Sequence, residues 1–312
     1  MHAPNGWLSE PGSASYPVPN LLGGVMTRRW SRVAAGTATL VAGMAAALVP
    51  VTPAAASTIP SATVVATSPV FNSLPEKSAE ARCPDGMRVL GGGVRVSFPD
   101  HIVVVRQEPV HTQAVDSFLV TALEDEVGTT NEWAVQAIAV CAADVPGIEI
   151  VAAVSATGST GFIGVSSRCP AGKNAIGAGG RVVDGFGQVA LVTLIEGGFM
   201  FNTRTTAGGL EDLNGFAGNW SVTSFTVCAT LNSPSDLQVV KTYANSTDLT
   251  NVIAATCPAG MFATGGTGWA DLPSAVASVN INAARSRVQL VSRQTGSSTA
   301  TWRASAMAFC VS

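Results

Sequence analysis

One frame occurs three times along this chain: Cys-Pro-x-Gly, then a knot of glycines, then, much later, a Trp followed eight positions on by a second Cys. The first copy runs from Cys83-Pro84-Asp85-Gly86 to Trp133 and Cys141, the second from Cys169-Pro170-Ala171-Gly172 to Trp220 and Cys228, the third from Cys257-Pro258-Ala259-Gly260 to Trp302 and Cys310. All six cysteines fall within the frame. Successive first cysteines are 86 and 88 residues apart, and successive second cysteines 87 and 82. That period is too long for a solenoid coil and accommodates about four strands with their turns.

Helical periodicity is absent. Val, Ile, Thr and Ala alternate with polar residues in short runs bounded by Gly, Asn, Asp and Pro, the pattern of strands. The closing strand of each copy, such as Trp133 to Cys141, places Trp and Cys on one face with small residues between them. Its other face carries Ile138 and Val140, Phe225 and Val227, or Met307 and Phe309. Apolar residues on both sides predict a central, covered strand. Eight residues past each first Cys stand Gly91, Gly177 and Gly265. A phosphate-cradling loop would require a helix after these glycines, whereas Val94-Arg95-Val96 and Arg181-Val182-Val183 continue as strand. The glycines are therefore expected to permit a bulge, a positive φ or close packing of strands.

The amino terminus reads as an export signal. Arg28, Arg29 and Arg32 precede an Ala-rich apolar stretch from Val33 to Val49, and Ala54-Ala55-Ala56 offers a small-x-small cleavage site. Residues 26–56 are thus expected to be a signal peptide. Residues 1–25 fit neither signal nor fold, and a true start at Met26 would account for them. After cleavage, the 17 basic and 20 acidic residues of the chain become 14 and 19, because three Arg and one Glu are removed. No basic patch is available to neutralise a row of phosphates, which argues against nucleic-acid binding. No second apolar run is long enough to span a bilayer.

An exported chain with cysteines only in this frame is expected to form disulfides. Two pairings respect the repetition. Either each copy closes on itself (Cys83–Cys141, Cys169–Cys228, Cys257–Cys310), or neighbours are linked (Cys141–Cys169, Cys228–Cys257, Cys310–Cys83). The first is favoured, because both cysteines belong to every unit and it works even for a lone copy.

Reactive groups are sparse. His101, Glu108 and His111 could be drawn as a metal set, but strand spacing puts Glu108 on the face opposite the histidines, so no metal and no cofactor is expected. No nucleophile elbow is present. Glu124-Asp125-Glu126 and Glu211-Asp212 lie in loops before Trp133 and Trp220, where acids could serve a glycosidase or calcium, or simply solvate a loop tip. Phe186, Phe199, Phe201 and Phe216 sit in Gly-flanked segments of the second copy. Aromatic rings on such tips can stack on sugars or on a partner, and these four are the candidate binding residues. Tyr243 is the only tyrosine after the signal segment.

The frame Cys-Pro-Ala-Gly-x4-Gly-x-Gly-Gly at Cys169–Gly180, closing on Trp-x7-Cys, resembles that of uncharacterised actinobacterial secreted proteins and of single copies at the ends of some phage tail proteins. The first copy departs with Asp85, and the third with Thr267 inside the glycine knot. The scheme of three four-stranded units also looks like the β-prism of the vitelline membrane outer layer protein. That likeness implies sheets about a pseudo-threefold axis and carbohydrate-linked roles.

The expectation is therefore an all-β, β-prism-like domain over residues 57–312, with three tandem four-stranded repeats at 60–144, 145–231 and 232–312. It would be secreted, extracellular and monomeric. The function expected is non-catalytic binding of glycans or a cell-envelope component, or a structural surface role. The alternative is a polysaccharide hydrolase with its acids among Glu108, Glu124, Glu126 and Glu211.

Overall fold

The computed structural model describes residues 59, 62–97, 100–194, 203–271, 274–294 and 301–312. The expected signal peptide and residues 1–25 lie outside the described residues, as do Phe199 and Phe201. The described part is all-β, with a single short 3₁₀ turn at Pro234–Asp236 and no α-helix.

Each cysteine frame folds into six strands. The first holds β1 (Thr63–Ala66), β2 (Glu76–Arg82), β3 (Arg88–Ser97), β4 (Ile102–His111), β5 (Asp116–Glu124) and β6 (Ala134–Ala142). The second holds β7 (Glu149–Val154), β8 (Phe162–Arg168), β9 (Asn174–Val183), β10 (Val189–Leu194), β11 (Arg204–Glu211) and β12 (Ser221–Ala229). The third holds β13 (Leu237–Ser246), β14 (Thr250–Thr256), β15 (Phe262–Ala270), β16 (Ser274–Ile281), β17 (Arg287–Gln294) and β18 (Trp302–Val311).

The expected β-prism of three four-stranded repeats is not what forms. The strands make four sheets, ordered β1-β6-β3-β16-β17-β14, β2-β5-β4-β9-β12-β7, β10-β11-β8 and β13-β18-β15, in a propeller-like arrangement of four blades. The reason lies in how each frame is divided. Its first, third and sixth strands make one antiparallel trio, and its second, fourth and fifth make another. Trios from different frames then join edge to edge where their backbones can approach. β4 pairs with β9 through Arg106↔Arg181 and Gln107↔Gly180, and β3 pairs with β16 through Val94↔Val279. Between β15 and β10 no such pairing occurs among the described residues, so two trios remain separate sheets.

A disulfide clamps the trios of each frame together: Cys83–Cys141, Cys169–Cys228 and Cys257–Cys310, with sequence separations of 58, 59 and 53. Loop-closure entropy gives each about 4 kcal/mol of stabilisation before any strain. The Cys-Pro-x-Gly start is a tight turn after the first cysteine. Met87 N–H donates to the Pro84 carbonyl at 3.0 Å, and Gly86 takes φ 77°, the value a type II turn requires at its third position. Pro84 stands at the first position and supplies the acceptor carbonyl, as Pro170 and Pro258 do for Lys173 and Met261, and glycine recurs at the third position because φ is positive there.

The glycines eight residues past each first Cys meet at the centre. A Cβ on Gly91 would stand 2.9 Å from the Gly265 Cα, one on Gly265 3.3 Å from the Gly177 Cα, and one on Gly177 3.3 Å from the Gly91 Cα. Leu90, Ile176 and Thr264, each one residue earlier, are the extra residues of β-bulges. The knot thus serves close backbone approach at a bulge. The main hydrophobic core surrounds it and contains all six cysteines with Trp133 and Trp302. A smaller core holds Val103, Val105, Leu191, Val222 and Trp220. Where the second frame's trios face each other, the contact is partly polar. Thr226 Oγ1 lies 2.6 Å from both the Ser167 and Thr205 hydroxyls, all buried, so each group keeps a partner out of water.

Candidate functional site

The loops that follow β5 and β11 carry the acidic runs, and the fold sorts their carboxylates into two kinds. Glu124 and Glu211 are structural. The buried Trp133 indole donates to Glu124 Oε1 at 3.0 Å, and the buried Trp220 indole to Glu211 Oε1 at 2.8 Å. Their second oxygens accept backbone N–H groups of Thr129 and Phe216. A buried indole N–H needs an acceptor, and in these two frames a Glu nine residues earlier supplies it. In the third frame Trp302 donates instead to the Asp248 carbonyl at 2.9 Å. The spacing Glu-x8-Trp was present in two copies and is the sequence sign that these acids belong to the core.

Asp125, Glu126 and Asp212 are of the second kind and converge from two frames. Asp125 accepts from the Val127 and Gly128 backbone at 2.9 and 3.0 Å and pairs with His101 Nδ1 at 2.9 Å. Glu126 accepts from Asn214 Nδ2 at 2.8 Å. Asp212 accepts from Gly215 N–H at 3.1 Å and also shares a hydrogen bond with Glu126. Burial, followed by the Glu126 charge, that shared hydrogen bond and the Asp125 charge, pushes the Asp212 pKa up to about 6. Two carboxylates that share a hydrogen bond must share a proton or repel.

The turn between β9 and β10, which carries the chain from one sheet to another, borders this cluster. Gln188 N–H donates to the Gly185 carbonyl at 2.9 Å, and the two residues between them have positive φ, 46° at Phe186 and 80° at Gly187. Two successive positive φ values make this a mirror-image (type I′) turn, here joining strands of two different sheets. Glycine is required at 187, because a Cβ there would stand 2.2 Å from the Glu124 carbonyl oxygen and 3.4 Å from the Asp125 Cα. Phenylalanine at 186 is a costly choice, since a bulky residue rarely adopts this backbone. The residue is 68 % exposed. It leans on Phe216, with centroids 6.2 Å apart and planes tilted by 59°. Phe216 itself is half-buried against the smaller core.

Of the four phenylalanines singled out by sequence, two therefore meet at one place, Phe186 as an exposed ring and Phe216 as its footing. Pattern alone did not bring Asp125, Glu126, Asp212 and Asn214 beside them, because the loops belong to different frames. The remaining groups lie elsewhere. Glu108 is tied to Arg106 at 2.7 Å and to Arg181 at 3.5 Å. His111 pairs with the buried Asp116, which also binds Arg88. His101, Glu108 and His111 thus go to three different partners, and the described residues hold no group of three or more such side chains placed to bind a metal ion. No described helix is long and apolar enough to cross a membrane.

Comparison with protein-family models finds no match, and comparison with curated proteins finds none.

Proposed function

We propose that this chain is a secreted, non-catalytic binding protein that recognises a glycan or another cell-envelope component through the junction of its first and second frames. The observation that carries the reading is Phe186: an exposed ring in a costly left-handed conformation, footed on Phe216 and bordered by Asp125, Glu126, Asp212 and Asn214. Strain of this kind persists where the surroundings over-determine it, commonly at binding sites. An aromatic face takes the apolar side of a sugar ring, and carboxylate and amide groups take its hydroxyls. Three disulfides are compatible with an extracellular location.

The hydrolase reading draws less support. Glu108, Glu124 and Glu211 are committed to arginines or indoles. Glu126 accepts from Asn214 Nδ2 at 2.8 Å and faces Asp212, so it too has protein partners. The test is a glycan array with the secreted chain and its Phe186→Ala variant, run beside a reducing-sugar assay. Binding that falls by about tenfold in the variant supports the proposal. Release of reducing ends, abolished by changing one carboxylate, overturns it.

A further inference from the structure

The sheet β13-β18-β15 exposes a second surface, unconnected with Phe186. In its register Tyr243 lies opposite Ser305, and Ser305 lies opposite Trp269, so the three side chains form one row on one face. Arg303, two residues along the middle strand, shares that face. Its guanidinium carbon stands 5.8 Å from the Tyr243 ring and 5.1 Å from the Trp269 ring. Tyr243 is 55 % exposed, and Arg303 is exposed with Trp269 half-buried. The strands that carry the two rings are separated by one strand, about 10 Å, and the Arg303 guanidinium stands between the rings. Beside it on the middle strand the row is completed by one small residue. Ser305 is fully buried, and its hydroxyl has no hydrogen-bond partner among the described residues. Buried hydroxyls are almost always paired, so an orphan between an exposed and a half-buried aromatic is a site cue in its own right.

The other frames show what is unusual here. The residue twelve past the first Cys is Arg95 in the first frame, Arg181 in the second and Trp269 in the third. Arg95 donates to Gln136 at 3.2 Å and to Asn280 at 2.9 Å, and Arg181 reaches Glu108 at 3.5 Å. Those arginines tie one strand to the next across a closed seam. In the third frame that position is aromatic, and the cation stands instead on the middle strand, between two rings.

We infer that Tyr243, Trp269 and Arg303 form a binding site for a carboxylate-bearing sugar, a uronic acid unit of an acidic polysaccharide. The rings supply apolar faces for the pyranose, the guanidinium matches a carboxylate in a two-point contact, and Ser305 offers a hydroxyl beside it. A phosphate polymer without sugar rings supplies the charge but not the stacking face.

Trp133, Trp220 and Trp302 are buried, so a ligand-dependent change in tryptophan emission reports Trp269. The probe is tetragalacturonate, with its methyl ester and poly(glycerol phosphate) as controls, titrated into the secreted chain. Tetragalacturonate is expected to shift the emission saturably with a Kd of about 1 mM or tighter, and the ester to bind about tenfold more weakly. Arg303→Gln loses about tenfold toward the acid and nothing toward the ester, while Tyr243→Ala weakens both. The emission readout belongs to Trp269 on β15, which separates this site from the one proposed above. Equal affinity of Arg303→Gln and wild type for tetragalacturonate overturns the inference. So does an ester that binds as well as the acid, tighter binding of poly(glycerol phosphate), or no saturable response. Should Arg303→Gln fail to fold, the acid-to-ester ratio on the wild-type chain still decides.

Discussion

Two junctions between frames are closed by hydrogen bonds and, among the described residues, one is not, and the side chain ten residues past the first Cys differs between them. At the β3–β16 junction a Cβ on Gly93 would stand 2.0 Å from the Val279 carbonyl oxygen. At the β4–β9 junction one on Gly179 would stand 2.4 Å from the Gln107 carbonyl oxygen. Both glycines lie ten residues past the first Cys of their frame, and the matching residue of the third frame is Thr267, buried in β15. A neighbouring strand can approach a glycine closely enough to pair, whereas a β-branched residue fills that space. β10 therefore lies beside β15 without joining it, and the sheet that two glycines make continuous is cut where threonine stands. The same third frame carries the Tyr243–Arg303–Trp269 surface in place of a seam-tying arginine. Loss of a seam and gain of an exposed face are two results of the same divergence.

The comparison breaks most sharply if the disulfides are removed one at a time. Replacing Cys257 and Cys310 with Ala is expected to cost about 4 kcal/mol, and so is replacing Cys169 and Cys228. The two should differ in hydrogen exchange. Without the third bridge, β13-β18-β15 loses protection ahead of the rest, because no hydrogen-bonded neighbour retains it. Without the second, β12 and β9 stay protected through β4. Identical exchange maps would mean that the seams contribute nothing to local stability.

Gly93→Thr transplants the third-frame residue into a closed seam. It should cost about 3 kcal/mol in chemical denaturation, since the neighbour is a carbonyl of the backbone and not a movable side chain. The reverse change, Thr267→Gly, loses strand propensity and buried contact, about 1 kcal/mol. It should also add slow-exchanging amides along β10 if threonine is what holds the strands apart. The smallest effect concerns the loop junction of the first two frames. Asp212 has its pKa raised to about 6 from an ordinary 3.8, so between those values the folded chain holds a proton that the unfolded chain has released. Stability then falls as pH rises through that window and stays lower above it. Asp212→Asn should flatten this dependence and raise stability at pH 7 by about 1 kcal/mol, after allowance for solvent screening at a half-buried loop.

The Cys-Pro-x-Gly turns, the strand character of Trp133–Cys141 and its counterparts, and the glycine knot were legible locally, because turn geometry and strand alternation are properties of neighbouring residues. The count of strands was not. β1 has four residues and β2 reads Glu-Lys-Ser-Ala-Glu-Ala-Arg, too short or too polar to stand out. The acids of the Glu-x8-Trp pairs looked reactive only because their indole partners were not visible as partners. Phe186 and Phe216 stand out in the sequence by their flanking glycines. Their meeting with Glu126 and Asp212 came from the packing of the β9–β10 turn against the end of β5.

The all-β class and the presence of disulfides were written into the chain by composition, alternation and cysteine spacing, since each depends on local geometry and on chemistry that acts wherever the pattern occurs. Which trios merge into sheets, how many sheets result, and which loops share a proton or an aromatic contact were decided only when backbones from different frames came together. That outcome turns on ångström-scale approach between residues such as Gly93 and Val279, far apart in the chain, and no local preference encodes it.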